Sequence, residues 1–380
     1  MVSRTYWQQR IEAQWRRRSV LWLRGVRRVG KTVLAQSLPD TEYFDCELPR
    51  VRRAMEDPEA FLKGWRGRRI VLDEVHRLAN PSEMLKIAAD HFPTVQVLAT
   101  GSSTLGASSR FRDTLTGRKT ELWLTPMIEA DVAAFGQPDL PHRLLHGGLP
   151  PFFLSPEPAE RDFQEWVEAY WAKDIQELFR LERRASFHRF FELLMAQSGG
   201  IFEATKFAAP CEVSRTTITN YLAVLEATSV ALVLRPFSSR RSSEIITAPK
   251  VYGFDTGFVC AHRGWTSLRP DDLGRLWEHY VLNELLAHLQ ATNLRYWRDK
   301  QGHEVDFVRV FHGRAPVAIE CKWTTAGFDP SNLLVFARAY PKARLLVASP
   351  EARPAFTREY GGHPIEFLPL HRLVQEIRAA

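Results

Sequence analysis

The sequence predicts an α/β protein in three parts: a phosphate-loop domain on a parallel sheet (1–150), a helical middle part (151–258) and a second α/β domain (259–380). Three observations lead there. Apolar runs alternate with helical stretches through residues 1–135, as in a parallel sheet covered by helices. Residues 160–230 lose that alternation and read as helices, and from Leu273 a helix leads back into strands. The segment 135–158, with Gly147, Gly148, Pro150 and Pro151, is rich in chain breakers and marks the first boundary.

The elements follow in order. Arg16, Arg17 and Arg18 precede the first strand and read as a solvated helix face. The apolar run from Val20 to Leu23 is a buried strand, and it ends in a complete phosphate-loop signature: Gly25, Val26, Arg27, Arg28, Val29, Gly30, Lys31 and Thr32. The two glycines let the backbone curl so that its N–H groups face a phosphate chain. Lys31 is expected to reach the β- and γ-phosphates of ATP, and Thr32 to hold Mg²⁺. The helix from Thr32 through Val33 to about Leu38 points its positive end at the same anion. Arg27 and Arg28 lie inside the loop, so their charge serves nucleotide.

Arg69 to Asp73 reads as a second buried strand, with Asp73 at its end as a Mg²⁺ ligand and Glu74 as the residue that orients or deprotonates the attacking water. A third apolar strand ends in Thr100, Gly101 and Ser102, and either hydroxyl could sense the γ-phosphate; capping a strand end is the equal alternative. Arg118 follows Leu115 and Gly117 and precedes a strand near Thr120–Leu124. It is the first candidate for a cation acting on a neighbouring subunit's nucleotide, with Arg110 and Arg112 as competitors.

The middle part opens with one aromatic helix over 163–179, whose Trp166, Tyr170 and Trp171 read as core. A helix-turn-helix pattern follows: a first helix over 201–208, a turn over 210–213, and Ser214 as N-cap of a helix over 215–227. Ile218, Tyr221, Leu222 and Leu225 share its apolar face, which leaves Arg215, Thr216, Thr217 and Asn220 for a DNA groove. A hairpin over 231–236 and 244–251 would form a wing tipped by Arg240 and Arg241. Many such folds touch only proteins, so that reading stays open.

The last part carries Glu304 and Asp306, then Glu320 and Lys322. Strand alternation turns Glu320 and Lys322 to one face, with Asp306 on the preceding strand and a turn over 312–316 between. Carboxylates and a lysine so placed can hold Mg²⁺ through Asp306 and Glu320 and attack a phosphodiester with water. Glu278 lies at the centre of the apolar stripe Val281, Leu282, Leu285 and Leu289 on the preceding helix, and a buried acid needs a partner, a metal or Lys322. Glu304 and Glu284 are weaker candidates. A nuclease site and a non-cleaving relic of one are the two readings.

At 380 residues the chain holds several cores, and 45% hydrophobic with 25% charged residues is ordinary globular composition. No run approaches the length of a membrane span, and residues 1–9 lack a signal-like apolar core. The four cysteines form no metal pattern and favour a reducing compartment, hence a cytoplasmic protein. A net charge of +7 permits a nucleic-acid partner without requiring one.

On these motifs, joined by the Thr100-Gly101-Ser102, Leu115–Arg118 and Gly147-Gly148-Leu149-Pro150 segments, the whole chain resembles a prokaryotic family of AAA-type ATPases. That family carries a C-terminal region with a winged helix and a domain similar to restriction endonucleases. Its phosphate loops often place Pro after the first Gly, where this chain has Val26. The resemblance implies an ATP-driven homo-oligomer, a hexamer-type ring or spiral, acting on DNA. The alternatives are a nucleotide-switched signalling scaffold that contacts proteins and a metal-dependent nuclease gated by ATP.

Overall fold

The structure, a computed structural model, describes residues 2–101, 115–136, 139–156, 160–179, 181, 183–238, 248–290 and 293–379. The chain divides into two compact units, Met1–Asp139 with Gly148–His188 and Asn220–Val230, and Leu140–Gly147 with Arg189–Thr219 and Ala231–Ala380.

In the first unit α1 (Thr5–Trp15) buries Trp7, Ile11 and Trp15, spaced four apart on one helix face. Five strands follow: β1 (Val20–Arg24), β2 (Thr41–Asp45), β3 (Arg69–Asp73), β4 (Gln96–Thr100) and β5 (Lys119–Trp123). They form one parallel sheet in the order β2-β3-β4-β1-β5. β1, β3 and β4 are buried almost throughout, which is why they read as continuous apolar runs. α2 (Lys31–Gln36) follows β1, and α3 (Pro81–His91) buries Met84, Leu85 and Ala88 in a core with Trp22, Leu72 and Val97. α3 begins on a proline, and the Asn80 side chain accepts from the Glu83 N–H as its cap.

One buried ion pair ties this unit together. Arg4 and Asp131, the latter on α4 (Glu129–Ala134), are 4% and 1% exposed. The guanidinium donates Nε to Asp131 Oδ1 at 3.0 Å and Nη2 to Oδ2 at 2.5 Å, while Nη1 donates to the Val29 carbonyl at 2.9 Å. Trp7 Nε1 and the Ile128 N–H also donate to Asp131 Oδ2, at 3.1 and 3.2 Å. Both charges are therefore fully used, the condition under which burying them is tolerable.

The single helix expected over 163–179 is interrupted. α5 (Glu160–Tyr170) runs into a π-helical turn at Trp171–Ile175 and a last turn at Gln176–Phe179. Trp166, Tyr170 and Trp171 are buried as core, as the sequence reading has them.

In the second unit β6 (Gly200–Ile201), β7 (Ala231–Leu234) and β8 (Lys250–Gly253) form a small antiparallel sheet in the order β6-β8-β7. The helix pair is shorter at its start than expected, α6 (Ala204–Ala208), because Ile201 belongs to β6. Its second member is α7 (Arg215–Ala227), of which Asn220 onward belongs to the first unit; it is capped by Ser214 Oγ, which accepts from the Thr217 N–H at 3.1 Å. The long α8 (Pro270–Leu289) leads to β9 (Leu294–Arg298), β10 (Glu304–Arg309), β11 (Val317–Cys321), β12 (Arg344–Ala348), β13 (Phe356–Tyr360) and β14 (His363–Leu368). α9 (Ser331–Ala339) connects β11 to β12, and α10 (Leu370–Ala379) ends the chain. The sheet order is β13-β14-β12-β11-β10-β9, parallel at β11-β12-β14 and antiparallel elsewhere.

α8 differs from the single apolar stripe expected of it. His279, Asn283 and Glu284 are buried along with Val281, Leu282 and Leu285, whereas Leu289 is partly exposed. The helix is enclosed on most of its circumference, so stripe periodicity does not describe it.

Asp131→Ala leaves the Arg4 charge buried without a partner, and a loss of about 3–5 kcal/mol is expected in urea titration. Replacing both by apolar residues is expected to cost far less, and equal losses would show that the pair acts through volume instead of charge. A second prediction concerns His279, which donates to the Gly253 carbonyl and whose burial lowers its pKa to about 4. The unfolded chain protonates this group near pH 6.5 and the folded chain does not. Stability is therefore held above about pH 6.5 and falls as pH drops towards 4. A His279→Gln variant should show a flatter acid limb in its urea midpoints than the wild type; parallel curves would contradict this.

Candidate functional site

Because the sheet is parallel, Arg24, Asp73 and Thr100 all end at its carboxyl edge, and the phosphate loop leaves β1 there. The loop's two glycines serve different ends. Gly30 has φ +98°, a conformation that requires a glycine. Gly25 is needed for space, since a Cβ there would lie 2.5 Å from the Leu124 carbonyl oxygen. Val26 and Val29 are buried beneath the loop, and Val33 is exposed on α2. Arg28 and Glu74 also sit in the left-handed region, at φ +63° and +52°. Non-glycine residues held there cost about 1 kcal/mol or more and cluster at functional sites.

A cleft of about 360 Å³ is lined by the loop, Thr32, Glu74, His76, Arg77, Pro150, Lys173 and Asp174. Lys31 donates to the carbonyls of Gly25 and Val26 at 2.9 and 3.2 Å. Burial lowers its pKa against the opposing pull of Glu74 and Asp174. Asp73 is the hub. It accepts from Thr32 Oγ1 at 2.9 Å, from the Tyr43 hydroxyl at 2.5 Å and, closer still, from Thr100 Oγ1. Thr100 also accepts from the Glu74 N–H at 3.3 Å. β4 lies between β3 and β1, so Thr100 stands between the acid pair and the phosphate loop. Burial would raise the Glu74 carboxyl, but the His76 ring 3.1 Å away and the Lys31 ammonium outweigh it and hold it below its ordinary range.

Tyr43, which reaches Asp73, and the cleft residues Lys173 and Asp174 carry no signal in the sequence. Tyr43 comes from a half-buried strand with no apolar run to mark it, and burial with the adjacent Asp73 pushes its hydroxyl up. Lys173 and Asp174 arrive through the π-helical turn, a feature with no sequence period. Asp174 accepts from Arg27 Nε at 3.1 Å, and Trp166 Nε1 donates to the Arg27 carbonyl at 3.0 Å.

Arg118 lies elsewhere. β1 and β5 are parallel with Val20 opposite Lys119, so Arg118 is at the amino edge of the sheet, away from its own phosphate loop. It pairs with Asp90 at 2.8 Å. Ser102, Arg110, Arg112, Arg240 and Arg241 lie outside the described residues. At the start of α7, Arg215, Thr216 and Asn220 are exposed, while Thr217 is half-buried and engaged with Ser214. Ile218, Tyr221, Leu222 and Leu225 are buried on the opposite face.

In the second unit the acids do assemble, around a cation the sequence reading missed. The β10–β11 register sets Phe307 opposite Ile319, which brings Asp306 to Glu320. Lys250 on β8 places Nζ 2.7 Å from Glu278 Oε1, 2.7 Å from Glu304 Oε1 and 3.7 Å from Asp306 Oδ1. Tyr252 donates to the same Glu278 oxygen. Lys322 pairs with Glu320 at 2.9 Å. Burial, with Glu278 and Glu320 alongside, pushes Asp306 well up, and burial likewise raises Glu320. Two expectations are corrected. Glu278 has Lys250 and Tyr252 as its partners, not Lys322. Glu284 belongs to a different contact, with His288 at 3.3 Å. Among the described residues no group of three or more His, Cys, Asp or Glu side chains is arranged to hold a metal.

Residues 17–131 match the family described as an AAA domain. Residues 137–269 and 273–370 match two domains of unknown function, DUF8612 and DUF4143. The uncharacterized proteins Mb2031c of Mycobacterium bovis and Rv2008c of Mycobacterium tuberculosis are each 29% identical over 329 residues, 83% of this chain and 73% of theirs. Among solved structures, a STAND signal-transduction ATPase from Pyrococcus horikoshii aligns at 12% identity over 74% of this chain and 46% of its own, with a TM-score of 0.27. McrB AAA+ hexamers with bound McrC, from Thermococcus gammatolerans, align at 12% identity over 47% of this chain and 46% of theirs, with a TM-score of 0.22. No helix among the described residues is long and apolar enough to cross a membrane. With the phosphate loop and the acid pair at one sheet edge, residues 17–131 are an AAA-type ATPase domain.

Asp174 lies where it competes with phosphate for the loop's cations. Asp174→Asn is expected to tighten binding of a fluorescent ATP analogue by roughly five-fold, about 1 kcal/mol for one partly exposed ion pair. Weaker binding would make Asp174 a scaffold of the loop instead.

Proposed function

We propose that the chain hydrolyses ATP and works on DNA as a homo-oligomer. The observation that carries this reading is the Asp73 hub, which holds Thr32 and Thr100, next to a cleft that Thr32 lines together with Lys31 and Glu74. In this reading Lys31 exchanges the Gly25 and Val26 carbonyls for the β- and γ-phosphates, and the N–H groups from Val26 to Thr32 cradle the rest of the chain. Asp73 and Thr32 present hard oxygens that suit Mg²⁺, which when bound neutralises charge on the phosphates. Glu74 is an ionised carboxylate with a lowered proton affinity. That makes it a good acceptor for a water's hydrogen bond and a weak base, so orientation of the water is its main work. Thr100 links both acids, and Ser102 two residues on is the second candidate for sensing the γ-phosphate.

Arg118, at the opposite sheet edge, serves a neighbouring subunit's nucleotide, which fits a ring or spiral. The exposed Arg215, Thr216 and Asn220 at the start of α7, with Thr217 fixing the helix end, suit a winged helix that enters a DNA groove, and Arg240 and Arg241 would tip its wing. The excess of basic residues agrees with a polyanionic partner.

One experiment tests the whole reading: ATP turnover and duplex-DNA binding, across a salt series, for the wild type and three variants. Lys31→Ala should lose nucleotide binding. Glu74→Gln should bind ATP and lose about two orders of magnitude in turnover. Arg215→Ala with Asn220→Ala should weaken DNA binding while basal turnover survives. Wild-type turnover in Glu74→Gln would remove its role, and DNA affinity indifferent to the double substitution would reassign α7 to protein contacts.

A further inference from the structure

We propose that Lys250 is a resident counter-cation that takes the place of a divalent metal among Glu278, Glu304, Asp306 and Glu320, and so closes the second unit to metal-dependent phosphodiester chemistry. A restriction-endonuclease-like domain implies a metal on Asp306 and Glu320. The side chains present do not fit one.

The geometry is that of an occupied cation site. The ammonium has three donors. It stands 2.7 Å from one oxygen of Glu278 and 2.7 Å from one of Glu304, with Asp306 Oδ1 at 3.7 Å as the third neighbour. Tyr252 lies two residues along the same strand, hence on the same face, and gives the Glu278 oxygen its second donor. Three of the remaining oxygens are engaged from outside, while Glu320 Oε2 is buried without a hydrogen-bond partner. The Cys321 N–H donates to Asp306 Oδ2 at 2.8 Å, Lys322 donates to Glu320 Oε1 at 2.9 Å, and Arg298 lies 3.7 Å from Glu304 Oε2.

A divalent ion needs about six oxygens at about 2.1 Å for Mg²⁺, and it would have to share these carboxylates with an ammonium already against them. Like charges at that range repel. Lys250 cannot readily withdraw, since its side chain is 5% exposed and its backbone is paired on both sides, with Ile201 and with Leu234. Three basic groups (Lys250, Arg298, Lys322) face four acids, so most of the charge is balanced without a metal. Lys250 lies in a different part of the sequence from the acids, which is why the acidic motif read alone suggests a metal.

The test is Mn²⁺ binding to the nucleotide-free full chain, followed by the electron paramagnetic resonance of free Mn²⁺. A Lys31→Ala background keeps the phosphate loop out of the measurement, so the outcome does not depend on the ATPase reading. With Lys250 present, no Mn²⁺ that depends on Asp306 should bind. Lys250→Met should gain one site, with affinity raised about tenfold or more, and adding Asp306→Asn should abolish it. Mn²⁺ held by the Lys250-containing chain and released by Asp306→Asn overturns the proposal, as does a folded Lys250→Met chain that binds none. If Lys250→Met unfolds, refolding with Mn²⁺ decides. Recovery of the helical circular dichroism supports the substitution of one cation by another, and failure to recover overturns it.

Discussion

A single guanidinium, Arg4, holds the phosphate loop from below. From the start of α1 it makes three hydrogen bonds, two to the Asp131 carboxylate on α4 and one to the Val29 carbonyl in the loop. The loop is otherwise a short irregular span between β1 and α2, with residues in left-handed conformations that would relax if the backbone were free. A buried charge pair is weak evidence for net stability, but it is highly directional, and here it fixes where a carbonyl points. The cleft above inherits its shape from that restraint. Lys31, Thr32 and Arg27 can be positioned only because the backbone carrying them is.

The same logic runs through both units. Ionised groups taken out of water find partners, and the partners come from distant parts of the sequence. Asp73 gathers hydroxyls from α2, β2 and β4; Glu278 gathers an ammonium and a phenol from β8. The outcomes differ. At the carboxyl edge of the parallel sheet Asp73 is met by neutral hydroxyls, which leaves room for a cation. In the second unit the acids are met by an ammonium, and the place is taken. Two clusters that look alike as motifs thus differ in what they can hold.

Much of the first unit was legible from the chain because its signals are local. Strands buried on both faces read as apolar runs, glycines mark left-handed or crowded backbone, and parallel strands put their ends together. Asp73, Glu74 and the loop residues followed from those rules. Arg4, Tyr43 and Asp174 did not, since none sits in a periodic pattern and each matters only through a partner 25 or more residues away. α8 misled in a different way: a helix enclosed on most sides carries no stripe, and the acid at the centre of the expected one could not show its partner.

By itself, then, the sequence determined the elements that obey local periodicity and the placing of the phosphate-loop signature and the acid pair at the ends of buried strands. Hydrogen-bond geometry, helix period and strand alternation act over a few residues, and these are written in order along the chain. What only the tertiary structure decided is the charge balance at each site: that Thr100 stands between Asp73 and the loop, that Arg118 faces the other edge of the sheet, and that Lys250 reaches the acids of β10 and α8. Electrostatic pairing depends on distance through space, and the order of strands in a sheet sets that distance, not the order of residues in the chain.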